Sequence, residues 1–424
     1  MQYKRIPKEK CLDQTLKLLI EGYLYIPRRC RKYGSDLFQT KLMGKTVICM
    51  SGEDSAELFY NNRIFTRKGV MPGRIQKSLF GKKAIQTLDG REHLHRKSLF
   101  MSLMTPNAID RLVSITKKEW EAAGKRFTGR DRIVLFDEAG VILFRAACRW
   151  TRVPCAASEI RSRAREMSDM VDAFGAVGPR HWKGRIARCR SERWMEEVVK
   201  QVRNGQLTAP IGSILHRIAF HRDEKGKLLK ARMAGIELIN VIRPITAIAT
   251  YITFGALAMH LHPECRLKLQ NKESNYSHMF AQEVRRFYPL TPFLGAKVRN
   301  DFIYNNIRFK KGTLVFLDVY GTNHDPRIWQ KHNRFWPEHF LYRDRSPFEF
   351  IPQGGGDYNT GHRCPGEWVV VELLKTSMEF LAGRLIYRVP LQNLIYSLRR
   401  IPTRPASGFI MEEIRRVTAP TECE

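Results

Sequence analysis

One glycine-rich stretch that contains a single cysteine constrains this chain more than any other feature of its sequence. Residues 350–368 read Phe-Ile-Pro-Gln-Gly-Gly-Gly-Asp-Tyr-Asn-Thr-Gly-His-Arg-Cys-Pro-Gly-Glu-Trp. Glycine has no Cβ, so this loop can approach a flat ligand closely. The apolar run after Cys364 predicts a helix, whose free N–H groups and partial positive charge favour a thiolate. The stretch therefore indicates a thiolate ligand for a heme iron, with a buried structural cysteine as the alternative.

The residues around Cys364 also resemble a known family. Residues 361–366, Gly-His-Arg-Cys-Pro-Gly, are similar to the heme-thiolate loop of the cytochromes P450. The preceding insert, 353–360, resembles the hydrogen-peroxide-dependent branch of that superfamily, the bacterial fatty-acid peroxygenases. The resemblance extends from Leu12 to Arg416. It implies a mainly α protein with a small β subdomain, in which heme b lies between a long central helix and the cysteine loop. We expect one domain of this kind over residues 1–424.

The net charge of +31, from 73 Lys and Arg residues against 42 Asp and Glu residues, raises a rival interpretation. A chain this basic could bind nucleic acid or a membrane surface. The basic residues are spread along the sequence, and the densest cluster, 180–203, alternates with apolar residues as a solvated helical face does. Zinc-finger spacing and basic-leucine patterns are absent from the sequence. We therefore predict no nucleic-acid partner, and a weak association with anionic membranes stays open.

The number and spacing of the cysteines, together with the apolar segments, indicate the cellular compartment. An odd number of cysteines without a Cys-x-x-Cys pair argues against a disulfide framework and a structural zinc site. The first ten residues lack the apolar segment of a signal peptide. The apolar run from Ile236 to Leu261 contains Glu237, Arg243 and Pro244, so we expect no transmembrane segment. These features predict a cytoplasmic protein. The nine cysteines are Cys11, Cys30, Cys49, Cys148, Cys155, Cys189, Cys265, Cys364 and Cys423.

A second candidate heme contact follows the turn at Asp89-Gly90. The sequence predicts a helix there, with His93 and Lys97 one turn apart on the same face. Such donors could hold the heme propionates, and a basic face toward solvent is the alternative. The resemblance implies that this helix supplies propionate partners, and we assign Arg67 and His362 to the same heme site.

The long helix predicted from Leu228 to Met259 carries an unusual dipeptide, Arg243-Pro244. Proline removes a backbone hydrogen bond, so we expect a kink there. Arg243 lies among apolar residues without an acid within one turn, and a buried guanidinium needs an anionic partner. A bound carboxylate fits because arginine can hold it with two hydrogen bonds. Pairing with a distant Asp or Glu is the alternative.

The resemblance gives this dipeptide a place in a mechanism. Oxygen-using cytochromes P450 carry an acid–alcohol pair in this helix, and the peroxygenases carry Arg-Pro. The resemblance thus implies hydrogen peroxide and a long-chain fatty acid as substrates, with no redox partner protein. The substrate carboxylate, held by Arg243, would act as the general acid–base. The alternatives are a monooxygenase that depends on a redox partner and a non-catalytic heme or lipid carrier.

Other residues are assigned to the substrate. The resemblance implies α- or β-hydroxylation with decarboxylation as a minor path, because Gln86 stands where decarboxylating members have His. We assign catalytic roles to Arg243, Pro244 and Gln86. An apolar channel for the alkyl chain is expected along Leu79, Phe80, Val171 and Phe293.

The Glu-x-x-Arg spacing of Glu283 and Arg286 is similar to a folding element of the superfamily. Its usual third partner is an arginine in a Pro-Glu-Arg-Phe segment, and His339 stands in that position here. A neutral imidazole cannot form the two-bond pair that a guanidinium forms with a carboxylate. The substitution therefore predicts a weaker triad.

Hydrophobic patterns outline the rest of the chain. We expect strands on both sides of a turn at Gly44-Lys45 and further strands at 290–298 and 308–316. Glycine and proline interrupt the segment from Phe65 to Phe80, so we expect a loop there.

Overall fold

The computed structural model describes residues 5–10, 12–341 and 346–417. Cys11 and Cys423 lie outside the described residues, and the other seven cysteines are free. Helices make up most of the described chain. They are α1 (Thr15–Glu21), α2 (Tyr25–Tyr33), α3 (Glu53–Phe59), α4 (Gly73–Ile75), α5 (Gly90–Leu103), α6 (Pro106–Phe127), α7 (Leu135–Thr151), α8 (Ile160–Asp172), α9 (Pro179–Arg203), α10 (Ile214–Ala219), α11 (Ala231–Ala247), α12 (Ala249–Leu261), α13 (Pro263–Gln270), α14 (Tyr276–Phe287), α15 (Val319–Thr322) and α16 (Glu367–Gly383).

The strands form small sheets. They are β1 (Leu37–Leu42), β2 (Lys45–Met50), β3 (Phe65–Thr66), β4 (Arg132–Val134), β5 (Phe293–Val298), β6 (Phe302–Tyr304), β7 (Ile307–Phe309), β8 (Leu314–Asp318), β9 (Leu385–Arg388) and β10 (Ile410–Arg416). The largest sheet has the order β1-β2-β8-β5-β3, with β2 and β8 parallel and the other pairs antiparallel. A second sheet has the order β4-β10-β9, and β6 pairs with β7. The expected mainly α fold with a small β part is confirmed.

The consecutive helices α11 and α12 form the centre of the protein. Every residue from Ala249 to Met259 is buried, and α11 packs against α7 and α9. The combined segment Ala231–Leu261 is long and apolar enough to cross a membrane, but 89% of its apolar window is buried inside the protein. Its apolar character is therefore that of a core helix.

The kink expected at Pro244 takes the form of a break at Ile248. Pro244 lies inside α11, which ends at Ala247, and α12 begins at Ala249. The Ile248 N–H donates to the Ile245 carbonyl at 3.1 Å, three residues back instead of four. The break separates the turn that carries Arg243 from the core helix α12.

Two expectations from the sequence are wrong. The loop expected from Phe65 to Phe80 is helical over its second half, which contains α4 and a π-helical turn, Gln76–Phe80. This turn forms because α9 packs on it. The face of 180–203 is not uniformly solvated either, since α9 buries Arg188 and Glu192. Both differences arise where α9 covers the π-helical turn.

Candidate heme and substrate site

The cysteine loop is fixed by its own backbone. The Cys364 N–H donates to the Gln353 carbonyl at 3.0 Å. Gly354 adopts a φ of +93°, and a Cβ there would lie only 3.0 Å from the Tyr60 hydroxyl oxygen. Helix α16 begins at Glu367, three residues after the cysteine. The loop therefore presents the Cys364 sulfur just before the N-terminus of α16, as the sequence predicted.

Burial shifts the pKa of the Cys364 thiol more than the N-terminus of α16 does. Burial raises the pKa of the thiol above its ordinary value, and the backbone N–H of Gly366 and the charge of Lys97 oppose this only in part. The helix N-terminus favours the thiolate, as expected, but it does not outweigh burial. A bound metal ion deprotonates a coordinating thiol, so the thiolate form fits a cysteine that ligates heme iron.

An ion-pair network that the sequence did not indicate fixes this loop to α14. The Arg285 guanidinium donates to Glu367 at 2.5 Å and to the Gln353 side chain at 3.0 Å. Arg363 donates to the other carboxylate oxygen of Glu367 at 2.6 Å. Both flanks of Cys364 are thus held by one buried network. Arg285 and Glu367 are 82 residues apart, and nothing in the local pattern of either residue signals the pair.

The structure brings together the four residues that the sequence assigns to the heme site besides Cys364, which are Arg67, His93, Lys97 and His362. The rings of His93 and His362 stack with centroids 4.0 Å apart, and His362 Nε2 lies 3.3 Å from an Asp89 carboxylate oxygen. Arg67, His93 and Lys97 are all buried, and Arg67 Nη1 has no hydrogen-bond partner. The alternative of a basic face toward solvent is therefore excluded for His93 and Lys97.

Burial weakens the charged forms of these cations. It lowers the pKa of Arg67 to about 10 and that of Lys97 to about 8. It also lowers the pKa of His93 to about 3, with contributions from His362 and Lys97. Buried cations of this kind are stabilised by an anionic partner. Heme propionates are such anions, so the Cys364 thiol and these buried cations together fit a heme group.

Arg243 is buried in α11 without an ion pair among the described residues. Its Nη2 donates to Asn240 at 3.3 Å, its Nε has no hydrogen-bond partner, and its guanidinium carbon lies 5.2 Å from the centre of the Phe80 ring. Burial lowers its pKa to about 9; the charge of Arg188 adds to this, and a Cys364 thiolate opposes it. The alternative of a distant acidic partner is not observed in the described chain.

Glu237, the acidic residue of α11, already has an ion-pair partner. Glu237, which is fully buried, accepts from Arg96 at 2.6 Å and from Asn240 at 3.0 Å. Asn240 also donates to the Phe80 carbonyl at 3.1 Å. Arg243 therefore lies at the end of a buried series of hydrogen-bonded side chains. The carboxylate in this series, that of Glu237, is already paired with Arg96.

The structure places the residues assigned to the substrate in different surroundings. Leu79 and Phe80 lie in the π-helical turn beside Arg243. The Oε1 atom of Gln86 is buried and has no hydrogen-bond partner. Val171 lines a cavity with α11 and α12 residues. Phe293 instead stacks on Phe316, 4.7 Å away, and packs against the core between β1, β2 and α2. Described contacts do not join Phe293 to Arg243.

His339 occupies the third position of the Glu283–Arg286 triad. Arg286 donates to both oxygens of Glu283 at 2.7 Å, and His339 Nδ1 lies 3.1 Å from Glu283. The other ring nitrogen of His339 faces the Gln330 carbonyl. A carboxylate and a carbonyl can only accept, so both ring nitrogens of His339 face hydrogen-bond acceptors. His339 therefore takes the place of the usual arginine as the third partner of Glu283.

The fold, the cysteine loop and the buried side chains of Arg67, His93 and Lys97 together define a heme-thiolate protein. Comparisons with known proteins agree. A family model described as Cytochrome P450 matches residues 270–369. Protopanaxadiol 6-hydroxylase of Panax ginseng is 22% identical to this chain, over 82% of this chain and 79% of its own length. The protein is therefore of the cytochrome P450 class, as the residues around Cys364 implied.

Two solved structures are much more similar. Cytochrome P450EX alpha (CYP152N1) with myristic acid is 41% identical, with a TM-score of 0.94 over 98% of this chain and 100% of that one. A variant of cytochrome P450 OleT in complex with arachidonic acid is 38% identical, with a TM-score of 0.96 over 99% and 100% of the two chains. The chain belongs to the CYP152 family of cytochrome P450 peroxygenases. It is an oxidoreductase whose cofactor is heme b.

Proposed function

We propose that this protein uses hydrogen peroxide to hydroxylate long-chain fatty acids at the α or β carbon. One observation carries the proposal: the guanidinium of Arg243 is buried beside the heme site and forms no ion pair in the described part of the chain. A carboxylate is the anion that arginine holds with two parallel hydrogen bonds. The similar structures that contain myristic acid and arachidonic acid support a fatty acid as its source.

The proposed role of Arg243 is to hold the substrate carboxylate as a general acid–base. Heme iron ligated by the Cys364 thiolate supplies the oxidising chemistry after O–O cleavage, as in heme-thiolate enzymes generally. That cleavage needs a proton to move from one peroxide oxygen to the other. Glu237 is held by Arg96 and Asn240, so the carboxylate on Arg243 moves the proton. Reaction therefore requires a substrate that carries a carboxylate.

The anchored carboxylate also selects the carbon that reacts. With the carboxylate on Arg243, the next carbons of the chain, α and β, are the first that can face the heme. The Phe80 ring lies beside the Arg243 guanidinium. In this proposal, Leu79 and Phe80 contact the carboxylate end of the alkyl chain, and Val171 contacts a more distant part of it. Phe293, which stacks on Phe316, stays assigned to the alkyl channel in this proposal. Pro244, by fixing the turn after Arg243, helps to keep the guanidinium in place.

Replacing Gln86 by histidine is expected to shift products from hydroxy acids toward terminal alkenes. The Gln86 side-chain oxygen is buried without a partner, and a histidine here would place a titratable imidazole where decarboxylating members of the family carry one. Mass spectrometry of the products formed with peroxide measures the shift, and Gln86→Asn, which keeps a neutral amide, serves as the control. An unchanged product ratio in Gln86→His would remove Gln86 from the catalytic residues.

Turnover with peroxide alone tests the proposed function. Purified, heme-loaded protein is incubated with a long-chain fatty acid and hydrogen peroxide, and in parallel with NADPH and a reductase. We expect α- and β-hydroxy acids in the first reaction. Product only in the second would make the protein a monooxygenase that depends on a redox partner. Fatty-acid binding without product in either reaction would make it a carrier.

Nine of the exposed large apolar side chains lie on three segments that hydrogen bonds join. The segments are residues 12–23, which include α1, the start of α9 with the loop before it, and the region 391–401. The Tyr23 N–H donates to the Leu398 carbonyl at 2.9 Å, and Arg180 donates to the Ile401 carbonyl at 3.0 Å. The exposed apolar residues are Leu12, Leu16, Leu19, Ile20, Val177, Trp182, Ile186, Leu391 and Ile395.

We propose that these three segments associate weakly with anionic membranes. Lys17, Lys183 and Arg399 are exposed among the apolar residues, and apolar side chains with a basic fringe favour anionic lipid surfaces. Co-sedimentation with phosphatidylglycerol vesicles is expected at low salt and is expected to fall at high salt. Trp182→Ser is expected to reduce it. Equal binding to phosphatidylcholine vesicles, or binding to neither, would contradict this association.

A further inference from the structure

A second buried guanidinium, that of Arg188, lies near Arg243. Arg188 belongs to α9 and is 1% exposed, and Arg243 of α11 is 4% exposed. Burial lowers the pKa of both side chains, and the charge of Arg188 lowers that of Arg243 further. Arg188 is paired with Glu192, whereas Arg243 has no carboxylate partner among the described residues. The region therefore carries an excess of buried positive charge, which destabilises the protein unless an anion compensates it.

Arg188 fixes the π-helical turn from the α9 side. Its Nη1 donates to the Leu79 carbonyl at 2.8 Å, and its Nε donates to Glu192 at 2.7 Å. Its Nη2 is buried without a hydrogen-bond partner. Gly81 makes room for this group: its φ is +91°, and a Cβ there would lie 2.5 Å from Arg188 Nη2. The guanidinium is thus packed directly against the backbone that follows Phe80.

The same turn is held from the other side by α11. The Phe80 carbonyl accepts from Asn240 at 3.1 Å, and Asn240 accepts from Arg243 at 3.3 Å. The Phe80 ring lies 5.2 Å from the Arg243 guanidinium carbon. Any movement of the Leu79–Gly81 backbone therefore changes the surroundings of Arg243, and Arg188 is the side chain that limits this movement.

The charges of this buried region do not balance without an anion. It contains more guanidinium groups than carboxylates, and one bound carboxylate restores the balance. The members are Arg96, Arg188, Arg243, Glu192 and Glu237. Arg232 also donates to Glu192, but its side chain is 68% exposed and is solvated.

We propose that Arg188 is a positioning residue for the substrate carboxylate. It holds the Leu79–Gly81 backbone so that Phe80 and Asn240 keep Arg243 in one orientation, and its charge adds to the attraction for the anion. This proposal rests on the proposed function, in which Arg243 binds a fatty-acid carboxylate. Arg188 itself need not touch the substrate.

Three heme-loaded variants test the role of Arg188: Arg188→Gln, Arg188→Lys and the control Arg193→Gln. Arg193 is an exposed arginine of the same helix. Fatty-acid Kd is measured from the heme absorption change on titration, together with kcat, KM for the fatty acid and the ratio of α to β products. Arg188→Gln is expected to raise Kd and KM about tenfold, to lower kcat less, and to change the product ratio.

The lysine variant separates charge from geometry. Arg188→Lys keeps the positive charge, but one ammonium cannot replace a planar guanidinium that bonds Leu79 and Glu192 at once. It is expected to recover most of the affinity and to keep an altered product ratio. Arg193→Gln is expected to match wild type in both. Wild-type Kd and product ratio in Arg188→Gln, or a lower melting temperature as its only change, would overturn the proposal.

A substitution at Gly81 covers the case in which Arg188→Gln does not fold. Gly81→Ala keeps every charge and crowds both Arg188 Nη2 and Ile236 Cγ2, so it is expected to change the product ratio with a smaller change in Kd. An unchanged product ratio in folded Gly81→Ala would overturn the proposal. Failure of the proposed function is distinguishable, because wild type would then form no product with peroxide while the Kd measurements still report on Arg188.

Discussion

Replacing Arg243 by glutamine is expected to abolish most peroxide-driven oxidation of long-chain fatty acids. The guanidinium is buried with a free Nε and no ion pair in the described residues, so the substrate carboxylate is its proposed counter-ion. Removing one partner of a buried charge pair costs about 2–5 kcal/mol, which corresponds to a loss of about thirtyfold to several thousandfold. Because the carboxylate also moves the proton, both kcat and affinity should fall.

The measurement is initial product formation by mass spectrometry, with the fatty-acid Kd from heme absorption as the second readout. Arg243→Lys is the matched variant: it keeps a charge without the two-bond geometry, and an intermediate rate is expected. Each variant should keep the carbon monoxide spectrum of a thiolate-ligated heme, since Cys364 is unchanged. Wild-type turnover in Arg243→Gln would rule out assistance by the substrate carboxylate.

Replacing Arg286 by methionine is expected to destabilise the protein by about 3–5 kcal/mol, the cost of breaking a buried ion pair from one side. Arg286 donates to both oxygens of Glu283, and neither side chain is exposed. It also donates to the carbonyls of Asn323, His332 and Arg334 at 3.0 Å each. All of these acceptors lose a partner together, and the loss is a large share of a typical stability of about 5–15 kcal/mol.

Urea unfolding of the heme-loaded protein, followed by circular dichroism, measures this effect. Arg388→Met is the matched control, because Arg388 pairs with Glu412 and Glu413 while its side chain is 54% exposed. Exposed pairs contribute about 0–1 kcal/mol, so its midpoint should stay near that of wild type. A midpoint for Arg286→Met as high as that of Arg388→Met would show that the triad does not hold the fold.

Local sequence patterns predicted the parts of the site that depend on short spacing. His93 and Lys97 share a helix face because they are four residues apart, and Arg243 is isolated because its own turn has no acid. The pairs Arg285–Glu367 and Arg188–Leu79 were missed, since chain segments far apart in sequence form them.

The remaining differences also come from tertiary packing. The π-helical turn that ends at Phe80 packs under α9, whereas the glycines and the proline that precede it predict a loop. Phe293 lies on the sheet face toward Phe316 because of the register of β5 with β8. A strand alternates its side chains between two faces, and the sequence does not say which face meets the pocket. The pKa of the Cys364 thiol likewise depends on burial, which the spacing of residues in the sequence does not reveal.

Peroxide-driven turnover of a long-chain fatty acid and of its methyl ester tests the central claim most directly. The two molecules share one alkyl chain, but the ester has no carboxylate for Arg243 to hold and none to move a proton between peroxide oxygens. With peroxide as the only oxidant, we predict α- and β-hydroxy products from the acid and an at least about thirtyfold slower reaction of the ester, from the loss of one buried charge pair of about 2–5 kcal/mol. Equal oxidation of both molecules, or oxidation of the acid only with NADPH and a reductase, would contradict the claim.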